Sequence, residues 1–341
     1  MLKPFLRRVV EGRSLSRQEA YEAMLAIMAG EATPAQIAAF LVALRMKGET
    51  VEEIVGFVEA MRARAVPLPI RADGLVDTCG TGGDGADTFN ISTAAAIVAA
   101  SGGVPVAKHG NRAVSSRSGS ADVLEALGVA IQLTPEGAAR CLEETGLCFL
   151  FAPLYHPSMR YAAGPRREIG LRTVFNLLGP LANPARATRQ VVGVYDRRLV
   201  PVLAEVLREL GARHCLVVAS HDGLDELSVA APTDVCEVQN GRIVSYTVTP
   251  EDAGLARHGP EAMRGGDPAA NAALIRRVFA GARGGPRDVV AFNAGAALYV
   301  GGRAASLAEG VRLAQSLIDE GAAAAKLEEL VRVSEVLAHA S

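Results

Sequence analysis

Gly80-Thr81-Gly82-Gly83-Asp84-Gly85 lies between a short apolar stretch at 75–79 and the small, helix-prone run at 90–96. Strand, glycine loop and helix in that order bring unpaired backbone N–H groups and the positive end of a helix dipole to one point, a seat for phosphate or pyrophosphate. The run formally matches G-x-G-x-x-G, but a dinucleotide site also needs an acidic residue ~20 positions on to hold the ribose. None occurs between Asp87 and Asp122. The nucleotide P-loop closes on G-K-[ST], whereas the first lysine downstream is Lys108. The alternative to a phosphate cradle is a tight turn whose glycines only supply positive φ.

The pattern around this loop predicts strands at 75–79, 104–107, 129–133 and 147–151, with helices from Ser92, over 121–127 and from Thr134 to Thr145. Such alternation implies a parallel sheet covered by helices. Between 155 and 184 it stops, giving short helices punctuated by Gly164-Pro165, Gly179-Pro180 and Asn183-Pro184. The sheet resumes at 191–195, followed by a helix at 199–210, a strand at 214–219, and a hairpin of 235–238 with 243–248 about the type I′ pair Asn240-Gly241. From Asp267-Pro268 onward the pattern is helical.

Upstream, residues 1–65 read as helices alone. Ser16/Glu19 and Thr50/Glu53 are capping boxes, Thr33-Pro34 opens a helix, and Gly30 and Gly48 end two. Ile37, Leu41 and Leu44, then Ile54, Phe57, Val58 and Met61, recur at helical spacing. So much apolar surface on a few helices implies contact with another domain or subunit. The prolines of Val66-Pro67-Leu68-Pro69-Ile70 make an extended linker. The expected fold class is therefore α/β: a small N-terminal helical domain (1–70, joined by 155–188) and a larger α/β domain (71–154 and 189–341) with a mainly parallel central sheet.

A formal charge of −2 offers no global basic field for nucleic acid or an anionic membrane. The N-terminus lacks the apolar core of a signal peptide, and no run reaches the ~18 apolar residues of a membrane span. The expected compartment is the cytoplasm. Five scattered cysteines, an odd number without zinc spacing, read as reduced buried thiols. Only Lys3, Lys47, Lys108 and Lys326 are lysines, so Lys108 in a glycine-containing stretch stands out.

Strands of one parallel sheet bring their C-terminal ends to a common edge, where ligands bind. Four segments are candidates for that edge. The glycine loop continues through Thr88, Asn90, Ser92 and Thr93. Lys108-His109-Gly110-Asn111-Arg112 with Ser115, Ser116, Arg117, Ser118 and Ser120 is dense in phosphate donors, or else a solvated loop with Ser120 as a helix cap. Asp225 and Glu226 follow a strand; they are solvated turn acids, or ligands for magnesium, which binds through one or two carboxylates plus phosphate oxygens. Arg166-Arg167-Glu168 is the fourth segment, and His109 and His156 carry no metal spacing and read as core or hydrogen-bonding residues.

G-T-G-G-D at 80–84, N-I-S-T at 90–93, K-H-G-N-R at 108–112, S-x-S-G-S-A-D at 116–122, R-R-E-x-G with N-L-L-G-P-L-x-N-P at 166–184, and D-x-L-D-E at 222–226 together resemble the anthranilate phosphoribosyltransferase family over the whole chain. The resemblance implies a nucleoside phosphorylase/phosphoribosyltransferase type of fold, a homodimer, and two Mg²⁺ per subunit. It implies the substrates 5-phosphoribosyl 1-diphosphate (PRPP) and anthranilate, in tryptophan biosynthesis. By resemblance, Gly80, Gly82, Gly83, Asp84, Thr88, Asn90, Ser92, Thr93, Lys108 and Ser120 hold PRPP; Gly80, Asn111 and Arg166 hold anthranilate; Ser92, Asp225 and Glu226 serve the metal. Lys108, Asn111 and Arg166 would act by charge and position, with no side chain marked as a general base. A pyrimidine nucleoside phosphorylase shares the fold but needs no carboxylates for a diphosphate-bound metal, so magnesium dependence separates the two. A non-enzymatic, nucleic-acid-binding relative would show a basic surface, which this chain lacks.

Overall fold

In a computed structural model that describes residues 1–70, 74–113 and 117–339, the described residues form one seven-stranded sheet in the order β3-β2-β1-β4-β5-β6-β7. The strands are β1 (Val76–Gly80), β2 (Val106–Gly110), β3 (Leu147–Phe151), β4 (Arg189–Gly193), β5 (His214–Ser220), β6 (Thr233–Gln239) and β7 (Arg242–Val248). The first five are mutually parallel, and β6 and β7 run antiparallel. Asn240 and Gly241 both take positive φ (50° and 78°), as a two-residue type I′ hairpin requires. Gly80 pairs in register with Gly193, so β1 and β4 end level at one edge of the sheet.

Two cores cover the two faces. On one, helix Ile91–Ser101 is buried along almost its whole length, against β1, β2, and helices Gly285–Val300 and Ala322–His339. Its alanines permit this close approach; at the helix end a methyl group on Gly102 would lie 2.6 Å from Leu298 Cδ2. On the other face, the N-terminal helices share a core with helix Leu199–Glu209 and with Cys79, Val192, Val217 and Val238 of the strands. Helix Arg160–Ile169 packs on Arg17–Met28 and Pro34–Lys47, and Phe175–Leu181 packs on Val51–Arg64. Gly164-Pro165 and Gly179-Pro180 sit inside these two helices rather than between them.

One expected strand is absent among the described residues. Residues 129–133 show the expected alternation, with Val129, Ile131 and Leu133 buried, but they join no sheet. The Ala130 N–H instead donates to Ser334 Oγ of the C-terminal helix at 3.0 Å. Alternating burial marks an extended segment with one covered face; here a helix does the covering, and β3 holds the sheet edge.

Both expected capping boxes form, and Thr33 with Gln36 makes a further one. Glu53 does more than cap. Fully buried, it accepts from Leu15 N–H at 2.9 Å and Thr50 N–H at 2.8 Å, and pairs with Lys47 Nζ at 2.8 Å. Removing one partner of such a pair strands the other charge, at about 3–5 kcal/mol. Glu53→Ala should lose about that much stability in urea denaturation, and Lys47→Met added to it should recover part of the loss. No recovery in the double variant would place the cost in the lost cap instead.

Candidate active site

The site is built where β1, β2, β4 and β5 end. Residues after β5 fold back so that Asp225 lies directly across the ends of β1 and β4. A methyl group on Gly193 would sit 1.5 Å from Asp225 O, and one on Gly80 2.6 Å from Asp225 Oδ2. The crossing requires glycine at 193, where the clash is with backbone, while a Cβ at Gly80 would push aside the Asp225 carboxylate. Gly82 N–H then donates to Asp225 Oδ2 at 2.8 Å, and Asp225 N–H to Asp84 Oδ2 at 3.4 Å. The glycine loop and the carboxylate pair, with Gly82 and Asp225 143 positions apart in sequence, are thus one structure.

This packing has an electrostatic cost. Burial pushes the Asp225 carboxyl well above its ordinary range, and the nearby Asp84 charge adds to the effect. Glu226 is raised by burial and then by Asp225, with Lys108 opposing. Among the described residues no three acidic, histidine or cysteine groups are set to enclose a metal. A pair of carboxylates beside a phosphate cradle is nevertheless the donor set that suits Mg²⁺, which takes its remaining ligands from phosphate and water.

Lys108 and His109 belong to β2 rather than to the loop after it. The buried Lys108 ammonium donates to Thr78 O and lies 3.4 Å from both Thr78 Oγ1 and Ser92 Oγ. Burial lowers its pKa, and the Asp77 charge opposes that. The N-terminus of helix Ile91–Ser101 has no side-chain cap from Asn90. Asn90 turns away instead: its Nδ2 donates to Ser118 O at 3.0 Å, and its Oδ1 accepts from Ser118 Oγ at 3.1 Å and Asn271 Nδ2 at 3.0 Å. Thr93 Oγ1 is buried with no partner among the described residues. Thr88 is bridged to Arg264, fixing the far end of the glycine loop.

The donor-rich segment after β2 is only partly as expected. Ser115 and Ser116 lie outside the described residues. Arg112 is committed to Asp122 at 2.9 Å and to Glu125, so it is no free anion donor. Ser120 is the first residue of its helix, and Gly119, not Ser120, is the cap. Its Oγ donates to Asn111 O at 3.3 Å, placing Ser120 and the exposed Asn111 together beside Gly110.

The opposite wall comes from 156–183. His109 Nδ1 lies 3.2 Å from Gly179 O, and His156 Nε2 3.0 Å from Ala182 O, with the rings 5.2 Å apart. Both histidines are the hydrogen-bonding core residues expected. Behind them the fully buried Asp77 accepts from Asn183 Nδ2 at 2.7 Å, His109 N–H at 3.2 Å and Gln190 Nε2 at 3.4 Å. Arg166 does not pair with Glu168. Its guanidinium lies 5.1 Å over the Phe175 ring, with no carboxylate bridged to it among the described residues. Sequence reasoning overlooked Asp77, Asn271 and Arg172. An acidic residue inside a buried strand was a usable signal for the first; nothing in the sequence marks the other two.

Residues 72–324 match the glycosyl transferase family a/b domain, and residues 3–65 match its helical bundle domain. The anthranilate phosphoribosyltransferase of Brevibacillus brevis is 58% identical over 341 residues, spanning 100% of both chains. The chain belongs to the anthranilate phosphoribosyltransferase family. The fold agrees with this membership. The Thermus thermophilus enzyme superposes with a TM-score of 0.92 at 48% identity, over 97% of this chain and 99% of that one. The Saccharomyces cerevisiae enzyme, solved in complex with PRPP and Mg, gives 0.90 at 25% identity over 98% of each.

The His109 ring has a consequence for pH. Burial, then the neighbouring His156, pushes it down to about 3, while an unfolded histidine titrates near 6.5. Between those values the unfolded chain binds the extra proton, so the His109 contribution is complete above about pH 6.5 and is lost as pH falls. Wild type should lose stability relative to His109→Gln by about 1.4 kcal/mol per pH unit from about pH 6 to about pH 4. A difference that does not change with pH in paired urea titrations would show that His109 is not held neutral.

Proposed function

We propose that this chain transfers the 5-phosphoribosyl group of PRPP to the amine of anthranilate, releasing pyrophosphate, as a step of tryptophan biosynthesis. The observation that carries this is the contact of the glycine loop with Asp225, which sets metal-type carboxylates against an uncapped helix N-terminus and a buried lysine. Gly80, Gly82, Gly83, Asp84, Thr88, Asn90, Ser92, Thr93, Lys108 and Ser120 hold the phosphoribosyl diphosphate, and Gly80, Asn111 and Arg166 hold anthranilate.

As the amine nitrogen forms its bond to C1 and the C1–oxygen bond to pyrophosphate breaks, positive charge grows on the sugar and negative charge on the leaving group, and the nitrogen then sheds its extra proton to solvent. Backbone N–H groups of the loop and helix and the Lys108 ammonium are fixed donors for that negative charge. Ser92, Asp225 and Glu226 would hold Mg²⁺, two per subunit, which supplies further positive charge to the diphosphate. Arg166 meets the anthranilate carboxylate, and Asn111 orients the ring so that the amine faces C1 opposite the pyrophosphate. Orientation carries the rest of the barrier lowering, with no side chain assigned as a base.

In this reading residues 1–70 and 155–188 form the helical domain, and 71–154 with 189–341 the α/β domain; the packing of Arg160–Ile169 and Phe175–Leu181 on the N-terminal helices supports it. The five buried, unbridged thiols support a reducing, cytoplasmic setting. Among the described residues no helix is long and apolar enough to cross a membrane. Exposed Met1, Val10, Met46 and Leu171 support the reading of a homodimer formed through the helical region. Light scattering at micromolar concentration should give twice the chain mass, and a monomer would contradict the dimer.

Loss of anthranilate fluorescence on adding PRPP and Mg²⁺ together tests the activity. Consumption is expected only with both; phosphorolysis of a pyrimidine nucleoside without Mg²⁺ would favour the phosphorylase reading. Asp225→Asn with Glu226→Gln should fold normally and lose turnover chiefly through metal use, because amides cannot replace the charge that offsets pyrophosphate. Wild-type turnover by this variant at limiting Mg²⁺ would remove the assignment. Arg166→Ala should cost about 2–4 kcal/mol of transition-state binding, as for one partner of a desolvated charge pair. The loss should fall on anthranilate KM and kcat/KM, with Arg167→Ala nearly silent; equal effects of the two would move the acceptor site elsewhere.

A further inference from the structure

Arg172 lies between helices Arg160–Ile169 and Phe175–Leu181, and its backbone is held from the helical side. Its carbonyl accepts from Arg45 Nη1 at 2.6 Å, and the next residue's N–H, that of Thr173, donates to Asn176 Oδ1 at 3.0 Å. The side chain crosses to the sheet edge. Its Cζ stacks 4.2 Å from the centre of the Tyr195 ring, and Tyr195 N–H in turn donates to Thr81 Oγ1 of the glycine loop at 3.1 Å. The guanidinium also lies against Gly83, where a methyl group would be 3.0 Å from Nη2 and 3.3 Å from Cζ and Nε. The loop's own carboxylate faces elsewhere: Asp84 Oδ2 accepts from Asp225 N–H at 3.4 Å and Oδ1 from Ala86 N–H at 3.2 Å.

A guanidinium backed by an aromatic ring, with no carboxylate bridged to it among the described residues, presents its N–H donors to whatever anion enters the loop beside it. Resting on the function proposed above, we infer that Arg172 is a further binding residue for the diphosphate of PRPP, contributed by the helical segment to the glycine loop of the sheet. It adds charge where the leaving group forms, and it makes the donor site depend on both walls of the cleft. Arg166 and Arg172, on one short segment, then divide the work: the first meets the acceptor and the second the leaving group.

The test is calorimetric titration of the full chain with inorganic pyrophosphate in the presence of Mg²⁺, alongside steady-state kinetics. Arg172→Ala should weaken pyrophosphate binding by about 10- to 100-fold, the range of a charge-assisted hydrogen bond, and raise KM for PRPP similarly. KM for anthranilate at saturating PRPP should change by less than about threefold. Arg172→Lys should recover part of the pyrophosphate affinity. If the alanine variant does not fold, Arg172→Gln, which keeps the stem and a planar head without charge, should show the same loss. Unchanged pyrophosphate affinity with a lower melting temperature would make Arg172 a strut between the walls and overturn the inference. Tighter pyrophosphate binding would show a guanidinium that obstructs the loop, and would overturn it too. Either result in an enzyme whose wild type consumes anthranilate with PRPP and Mg²⁺ rejects the Arg172 role alone; a wild type that consumes none rejects the function beneath it.

Discussion

The passage of Asp225 across the ends of β1 and β4 is the constraint on which the site depends. Gly193 leaves no room for a side chain beneath its backbone, Gly80 lies against its carboxylate, and the loop N–H of Gly82 is drawn onto that carboxylate. A buried acid so placed is held above its ordinary range by desolvation and by Asp84, with Glu226 next to it in the same condition. In the unliganded fold this concentration of acids is unfavourable, and Lys108 offsets only part of it. A cation and an anion entering together, as in the proposed metal diphosphate, would relieve it.

The second wall is fastened to the first by polar contacts in a buried layer. Asp77 gathers donors from Asn183, Gln190 and the β2 backbone, and Gln190 also donates to Pro180 O at 2.7 Å. The segment that carries Arg166 and Arg172 is therefore tied to the same strands that carry Lys108 and the glycine loop. A buried carboxylate with several donors is costly to leave incomplete, so the spacing between the two walls is set by the fold itself. The helical bundle adds to this by holding the segment from behind.

Much of this was readable from residues. Strand, glycine loop and helix at 75–96 formed as expected because local chemistry decides such a unit: apolar run, glycines, then small helix formers. The same holds for Asn240-Gly241 and the capping boxes. The strand expected at 129–133 failed because alternation reports a covered face, and nothing in the sequence says whether a sheet or a helix supplies the cover. Lys108 belongs to a strand and not to the loop the pattern suggests; its strand runs beyond the apolar stretch, since pairing with β3 continues to Gly110. Arg112 looked like an anion donor because Asp122 and Glu125 become its partners only once the helix after Gly119 forms. Arg172 was invisible, since its meaning depends on Gly83, Tyr195 and Arg45 meeting from three distant parts of the chain.

Thermal unfolding of the full chain with Mg²⁺ alone, with PRPP alone in chelator, and with both weighs this electrostatic account in one experiment. Ligand at about 100 times its dissociation constant stabilises a fold by ~2.7 kcal/mol. The account predicts a rise of that order only when Mg²⁺ and PRPP are present together, with each alone shifting the transition little. An equal rise from PRPP in chelator would contradict it, because the acids around Asp225 would then accept the diphosphate without a cation between them.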